Sequence, residues 1–264
     1  MMDALLDCVR GVDPLRSCGK VTNIIGMLVQ GYCPQVSVGS MCEIWPENGD
    51  QPVLAEVVGF RDSMALLMPL GELHGLAPGN LIRLRNSDAR LSVGQEMLGR
   101  ILDPMGQPMD NKKGLRLSEE RSIYSLPPGP MARQRIDAPM DLGVSSINGL
   151  LTCGVGQRMA IMSGSGVGKS TMLGMMARNS QAPVNVIALI GERGREVREF
   201  IENDLGQEGL ERSVLVVATS DQSPVLRMRG VFVATTIAEY FAELGHDVLF
   251  MMDSVTRFAM AGRE

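Results

Sequence analysis

Ser163-Gly164-Ser165-Gly166-Val167-Gly168-Lys169-Ser170-Thr171 is the stretch on which the reading of this chain turns. It follows a short apolar run, Arg158-Met159-Ala160-Ile161-Met162, and opens a helical pattern. The strict phosphate-binding pattern is Gly, four residues, then Gly-Lys-Ser/Thr, and Ser163 stands where its first glycine belongs. Gly164, Gly166 and Gly168 remain, and they let the backbone curl so that successive N–H groups face phosphate oxygens. The N-terminus of the following helix adds a partial positive charge. The spacing therefore assigns nucleotide phosphates to Gly164, Ser165, Gly166, Val167, Gly168, Lys169, Ser170 and Thr171. Lys169 is placed to reach the β/γ phosphates, and the Ser170 hydroxyl to ligate Mg²⁺ beside an ATP-like substrate.

Downstream, three further apolar runs end near charged residues: Val184–Ile190, Val214–Ala218 and Val248–Met252. Near-continuous apolar strands belong in a parallel sheet covered on both faces, so the class is α/β and doubly wound. Val197, Phe200, Ile201 and Leu205 have helical spacing, as do Val233, Ile237, Tyr240, Phe241 and Leu244. Gly206 and Gly245 stand where those helices are expected to stop. The carboxyl edge of such a sheet is its ligand edge. Asp253, at the end of Val248–Met252, is there a candidate for the Mg²⁺ shell opposite Ser170. Glu192, in Gly191-Glu192-Arg193-Gly194-Arg195-Glu196, could accept a proton from a water in line with the γ-phosphate, with Arg193 pairing the phosphate or an acid. Spacing alone leaves Glu192 open between that role and an ordinary helix-start acid. Glu196 reads as an acid in a helix first turn.

Upstream, residues 19–87 read as six short strands: Lys20–Ile25, Met27–Gln30, Met41–Ile44, Val53–Phe60, Met64–Met68 and Leu81–Arg85. Turn signals at Gly26, Glu47-Asn48-Gly49-Asp50, Arg61-Asp62-Ser63 and Ala77-Pro78-Gly79-Asn80 separate them, which predicts a small β-barrel. Tyr32, Trp45 and Phe60 are its only aromatics, too few for a stacking platform, so an assembly role is preferred over single-strand binding. The expected division is a tail at 1–18, the barrel at 19–87, and a connector with the α/β domain at 88–264. The prolines of Leu102–Pro108 and Pro127–Pro130 exclude a continuous helix in the connector.

Composition narrows the function classes. The 264 residues carry 25 Lys and Arg against 30 Asp and Glu, a net charge of -5, which argues against a basic nucleic-acid binder. No apolar run approaches the ~18 residues of a membrane span. Five cysteines and two histidines show no zinc spacing and fit a reduced, cytoplasmic setting. No Asn-Lys-x-Asp follows the phosphate loop, so a GTP switch is disfavoured.

Taken together these residues resemble the flagellar and type III secretion export ATPases, relatives of the catalytic subunit of rotary ATP synthases. The resemblance runs from about Gly19 to Glu264. It is carried by Leu142-Gly143-Val144, Ile147–Gly154, the phosphate loop with Leu173–Arg178, Gly191–Val197, Ala218–Pro224 and Met252–Ala261. It implies a RecA-like domain behind an N-terminal barrel, assembled as a homohexamer at the cytoplasmic face of an inner-membrane export gate. It implies Mg²⁺-dependent ATP hydrolysis, with export chaperones, exported proteins and stalk or stator subunits as partners and no nucleic acid. It also implies that Glu192 is the catalytic carboxylate. Ser163, Gly262 and a tail with Arg10 and Arg16 against Asp3, Asp7 and Asp13 depart from the family pattern. The adenine pocket and arginine finger are expected beyond residue 264, which reads the chain as a truncation that binds nucleotide weakly and turns it over poorly. Two alternatives stay open: a hexameric nucleic-acid translocase, and a nucleotide-gated scaffold without turnover.

Overall fold

Six short strands whose apolar residues recur at alternate positions close on one another in the N-terminal part of the computed structural model. The structure describes residues 18–47, 49, 51–86, 89–164 and 166–264. The strands are β1 (Cys18–Ile25), β2 (Leu28–Tyr32), β3 (Met41–Trp45), β4 (Val53–Arg61), β5 (Met64–Pro69) and β6 (Leu81–Asn86). Every neighbouring pair is antiparallel, and the ring runs β1-β2-β5-β4-β3-β6. In β5, buried positions alternate strictly with half-buried ones, so one side of the pleat faces the interior. That interior is filled by aliphatic side chains and two thiols: Val29, Ile44, Val57, Leu67 and Ile82 are fully buried beside Cys33 and Cys42. Gly31 is required there, because a Cβ would lie 2.4 Å from the Ile82 side chain. The predicted turn at Arg61–Ser63 is a tight hairpin with positive φ at both Asp62 and Ser63, the twist that two antiparallel strands need. The 1–18 tail, except for Cys18, lies outside the described residues.

The chain divides at Ala89/Arg90 into two compact units. In the second, β7 (Arg90–Val93) pairs with β9 (Glu119–Ser122), and β10 (Pro139–Met140) with β11 (Cys153–Gly154). The main sheet has the order β14-β12-β13-β8, all parallel, from β8 (Arg100–Leu102), β12 (Val184–Glu192), β13 (Ser213–Thr219) and β14 (Val248–Asp253). Ile187, Leu189, Leu215 and Val217 face one way, against Leu173, Met176, Phe200 and Leu205. The opposite face meets the helix Pro224–Glu243: a Cβ at Gly230 would lie 3.1 Å from the Ile190 side chain and 3.3 Å from that of Ala218. A sheet buried on both sides explains why its strands are apolar without alternation.

The structure changes two sequence expectations. Arg158–Met162 forms no strand; Met162 is 91% exposed, and the run pairs with neither edge of the sheet. A strand exists only where a neighbour accepts its backbone hydrogen bonds, and apolarity of the run does not supply one. Nor does Gly206 end its helix cleanly. Helix Gly194–Glu199 continues as a π-helical turn, Phe200–Leu205, and resumes as Gly206–Glu211 beyond the positive φ of Gly206. The extra backbone width at this turn brings Asp204 against Gly174, where a Cβ would lie 2.4 Å from the Asp204 carbonyl oxygen.

The connector belongs structurally to the second unit, because β8 is the sheet's outer strand. Arg100 grips Asp110 bidentately, Nε to Oδ2 at 2.7 Å and a terminal nitrogen to Oδ1 at 2.6 Å, with both side chains at most 10% exposed. The hydrogen bonds from Arg100 hold the Asp110 carboxyl below its usual range. A lowered folded-state pKa means that the pair's stabilisation is present above the unfolded value of about 3.9 and is lost as pH falls through the folded one. Asp110→Asn is therefore expected to cost about 3 kcal/mol near neutral pH by urea unfolding, the low end for a buried pair broken on one side. The gap from wild type should shrink below about pH 4. A gap that stays constant down to pH 2 would contradict this assignment.

Candidate functional site

Three backbone features bring the site together. The first is the phosphate loop, where Gly166 and Gly168 have φ of 76° and 95°. Left-handed backbone at alternate residues turns N–H groups toward one side, and a Cβ at Gly164, Gly166 or Gly168 would meet nothing within 4 Å. Helix Lys169–Asn179 then starts on Gly168 with no side-chain cap, which leaves its first N–H groups for a ligand. The second feature is the end of β12. A bulge between Ile190 and Glu192, at the positive φ of Gly191, turns Glu192 off the sheet, and its carbonyl accepts from Ser220 N at 3.0 Å. The third is the end of β14, which carries Asp253 with only 5% exposure.

These features line one cavity of about 580 Å³, bordered by Ser163, Gly164, Gly166, Gly168, Lys169, Ser170, Thr171, Glu192, Arg193, Glu196, Asp253 and Arg257. Lys169 Nζ donates to Asp253 Oδ1 at 2.5 Å, so the two positions are joined across 84 residues of sequence. Glu192 is half-buried, and its carboxyl is pushed up, first by burial, then by its hydrogen bond with Glu196 and the charge of Asp253. Lys169 opposes that shift. Arg193 is an exposed side chain 3.6 Å from Glu196, which anchors it at the rim.

The structure thus gathers Gly164, Gly166, Gly168, Lys169, Ser170, Thr171, Glu192, Arg193 and Asp253 around one space. Val167 points elsewhere, 68% exposed and outside the lining, and Ser165 lies outside the described residues. Two lining residues go beyond the sequence reading. Glu196, read there as a helix-start acid, faces Glu192 and shares a hydrogen bond with it, because position 196 falls one helical turn from the bulge. Arg257 lies within Met252–Ala261, but the sequence reading gives it no role of its own. It reaches the cavity from another element: Gly191 has no side chain, and the Arg257 stem crosses where its Cβ would lie, 2.8 Å away.

The donor set suits a hard divalent ion. Ser170 and Asp253 both offer oxygen ligands to the cavity, with no soft donor in its lining, and Mg²⁺ takes one or two such protein oxygens, the rest coming from phosphates and water. The cations Lys169, Arg193 and Arg257 can balance the charge of a polyphosphate, and Glu192 offers a carboxylate beside them. This arrangement can bind a nucleoside triphosphate and move a proton from water near its terminal phosphate.

The chain is similar to several known proteins. Residues 143–264 match the ATP synthase alpha/beta family, nucleotide-binding domain. The chain is 49% identical to a flagellum-specific ATP synthase of Bacillus subtilis, over 99% of this chain and 60% of that protein. It is 48% identical to a type 3 secretion system ATPase of Xanthomonas euvesicatoria, over 94% of this chain and 56% of that protein. Among solved structures it is similar to the assembled ATPase EscN in complex with its central stalk EscO from the enteropathogenic E. coli type III secretion system. That match has a TM-score of 0.86 at 46% identity, over 93% of this chain and 60% of that one. The chain spans less than two thirds of the length of these relatives.

Proposed function

Because the chain is a member of the ATP synthase alpha/beta family, related over nearly its whole length to flagellum-specific ATP synthases and type III secretion ATPases, we propose that it takes part in Mg²⁺-dependent ATP hydrolysis that energises protein export. The observation that carries this reading is the Lys169–Asp253 bond within a cavity that also contains Glu192. It supports a single phosphate site built from the loop, the end of β12 and the end of β14.

In this proposal the N–H groups of Gly164 and Gly166–Thr171, with the helix N-terminus, hold the phosphates. Lys169 leaves Asp253 for the β/γ phosphates, exchanging one charged partner for another, so the site is prepared without an unpaired lysine. Ser170 and Asp253 hold Mg²⁺, which neutralises charge on the phosphate oxygens when bound. Glu192 orients the attacking water and accepts its proton; burial, Glu196 and the Asp253 charge raise its affinity for protons, which makes it a stronger base than an exposed glutamate. Arg257 and Arg193 face the terminal phosphate from the rim. The reaction is the in-line transfer of the γ-phosphoryl group to water, releasing ADP and phosphate.

The relatives' names support coupling to flagellar or type III secretion export, and the EscN–EscO assembly supports a homohexameric ring around a central stalk. Export chaperones and exported proteins complete the proposed partners, with the ring peripheral to the inner membrane on its cytoplasmic side. No helix among the described residues is long and apolar enough to cross a membrane. The test is phosphate release from ATP by the assembled protein. Release is expected with Mg²⁺, to disappear on chelation, and to return when Mg²⁺ is restored. Failure to release phosphate, or release indifferent to chelation, would contradict the proposal.

A further inference from the structure

The barrel interior holds a chemistry that nucleotide hydrolysis does not use. Cys33 follows the last residue of β2, and Cys42 is the second residue of β3. In the six-stranded ring β2 and β3 are three strands apart by either route, so they face each other across the interior with no ladder between them. Both side chains enter the same core, Cys42 fully buried and Cys33 8% exposed, close enough for each thiol to affect the other's ionisation. The approach of Cys33 depends on Gly19, where a Cβ would lie 2.8 Å from the Cys33 Cα.

The intervening loop is already folded to hold these ends together. Gly39 N donates to Val57 O at 2.8 Å, Ser40 N to Ser37 O at 3.0 Å, and Ser37 N to the Ser40 hydroxyl at 3.0 Å. The proximity of the two thiols makes them unequal. A thiolate at Cys33 would accept the hydrogen bond of the Cys42 S–H, which lowers the pKa of Cys33, while the same bond and burial push the Cys42 thiol up. The better nucleophile is thus also the sulfur with some access to solvent.

We propose that Cys33 and Cys42 form an oxidisable pair that closes, in the presence of hydrogen peroxide, to a disulfide pinning β2 to β3 across the barrel. The Cys33 sulfur attacks a peroxide oxygen. The O–O bond breaks, Cys33 becomes a sulfenic acid, and the thiol proton leaves with the departing oxygen as water. The Cys42 sulfur then attacks the Cys33 sulfur. The S–O bond breaks as the S–S bond forms, and the hydroxyl departs with the Cys42 proton as a second water. Two thiols are oxidised and one peroxide is reduced to water for each pair. A small oxidant suits a sulfur with so little exposure, and a hydrophobic surround keeps other nucleophiles from intercepting the sulfenic acid. The bridge is reversible by thiols, so the barrel gains a removable cross-link.

The test uses the full chain treated with hydrogen peroxide, alkylated in denaturant and mapped by mass spectrometry. The expected result is a Cys33–Cys42 linked peptide that disappears on reduction with dithiothreitol. Cys42→Ala should abolish the link and let the Cys33 sulfenic acid accumulate, trapped by a dimedone reagent. If both thiols of the oxidised wild-type chain remain fully alkylatable, or if Cys33 links instead to Cys18, the proposal is overturned. Absence of dimedone label on Cys33 in the Cys42→Ala chain, with the label on other cysteines, would overturn it equally.

Discussion

Glu192→Gln is expected to lower ATP turnover by ~10²–10⁴-fold while leaving nucleotide affinity near that of wild type. The substitution preserves shape and volume. A carboxamide can still hydrogen-bond the Glu196 carboxylate, so the end of β12 and its bulge should stay in place. What it loses is the capacity to take a proton. In wild type, burial, the Glu196 contact and the Asp253 charge all raise the affinity of Glu192 for protons, and Lys169 keeps it from rising further. On the proposed mechanism the base stands at the end of β12, whereas the phosphate-holding groups lie on the loop and the following helix. Single-turnover hydrolysis of labelled ATP, measured beside equilibrium binding on the same preparation, separates the two properties. Near-normal hydrolysis in the variant would remove Glu192 from the mechanism. A parallel loss of binding would mean that it holds the nucleotide instead.

Much of the fold was legible because its signals are local. The six barrel strands fall within a few residues of their expected bounds, since each is set off by a turn residue with a specific backbone need, as at Gly26 and at Asp62-Ser63. The sheet strands β12, β13 and β14 were legible from continuous apolarity, which burial on both faces demands. Arg158–Met162 misled for the same reason: an apolar run states that burial is favourable and says nothing of which neighbour completes its hydrogen bonds. The π turn at Phe200–Leu205 was invisible because it keeps helical spacing while changing the hydrogen-bond step.

The site followed the same division. Lys169, Ser170 and Asp253 were found because loop chemistry and a strand terminus fix where they must lie. Glu196 was assigned an ordinary helix-start role, which its sequence position fits equally well; only the bulge at Gly191 shows that it turns toward Glu192. Arg257 reaches the cavity by crossing over a glycine from another element, a relation between distant residues that spacing along one segment cannot express.

Lys169→Ala carries the second large effect, and it has two separable parts. The first is lost binding. A charge-assisted hydrogen bond contributes ~1.5–3 kcal/mol, which weakens nucleotide affinity roughly ten- to a hundredfold. The second is a stability cost, because Asp253, 5% exposed, loses the partner that balances its charge. Lys169 is itself 31% exposed, so this cost should be about 2 kcal/mol, below the range for a fully buried pair. The double variant Lys169→Ala/Asp253→Asn removes the stranded charge and should recover most of the stability but none of the affinity. Loss and recovery moving together would trace the binding defect to misfolding.

Nucleotide phosphates are proposed to bind at the loop that opens helix Lys169–Asn179, joined to β14 through Lys169 and Asp253. Calorimetric titration of ATP into folded wild-type and Lys169→Ala protein, with Mg²⁺ in excess, tests it most directly. Binding at least about tenfold weaker in the variant is expected; equal affinity in the two proteins would place the phosphates elsewhere.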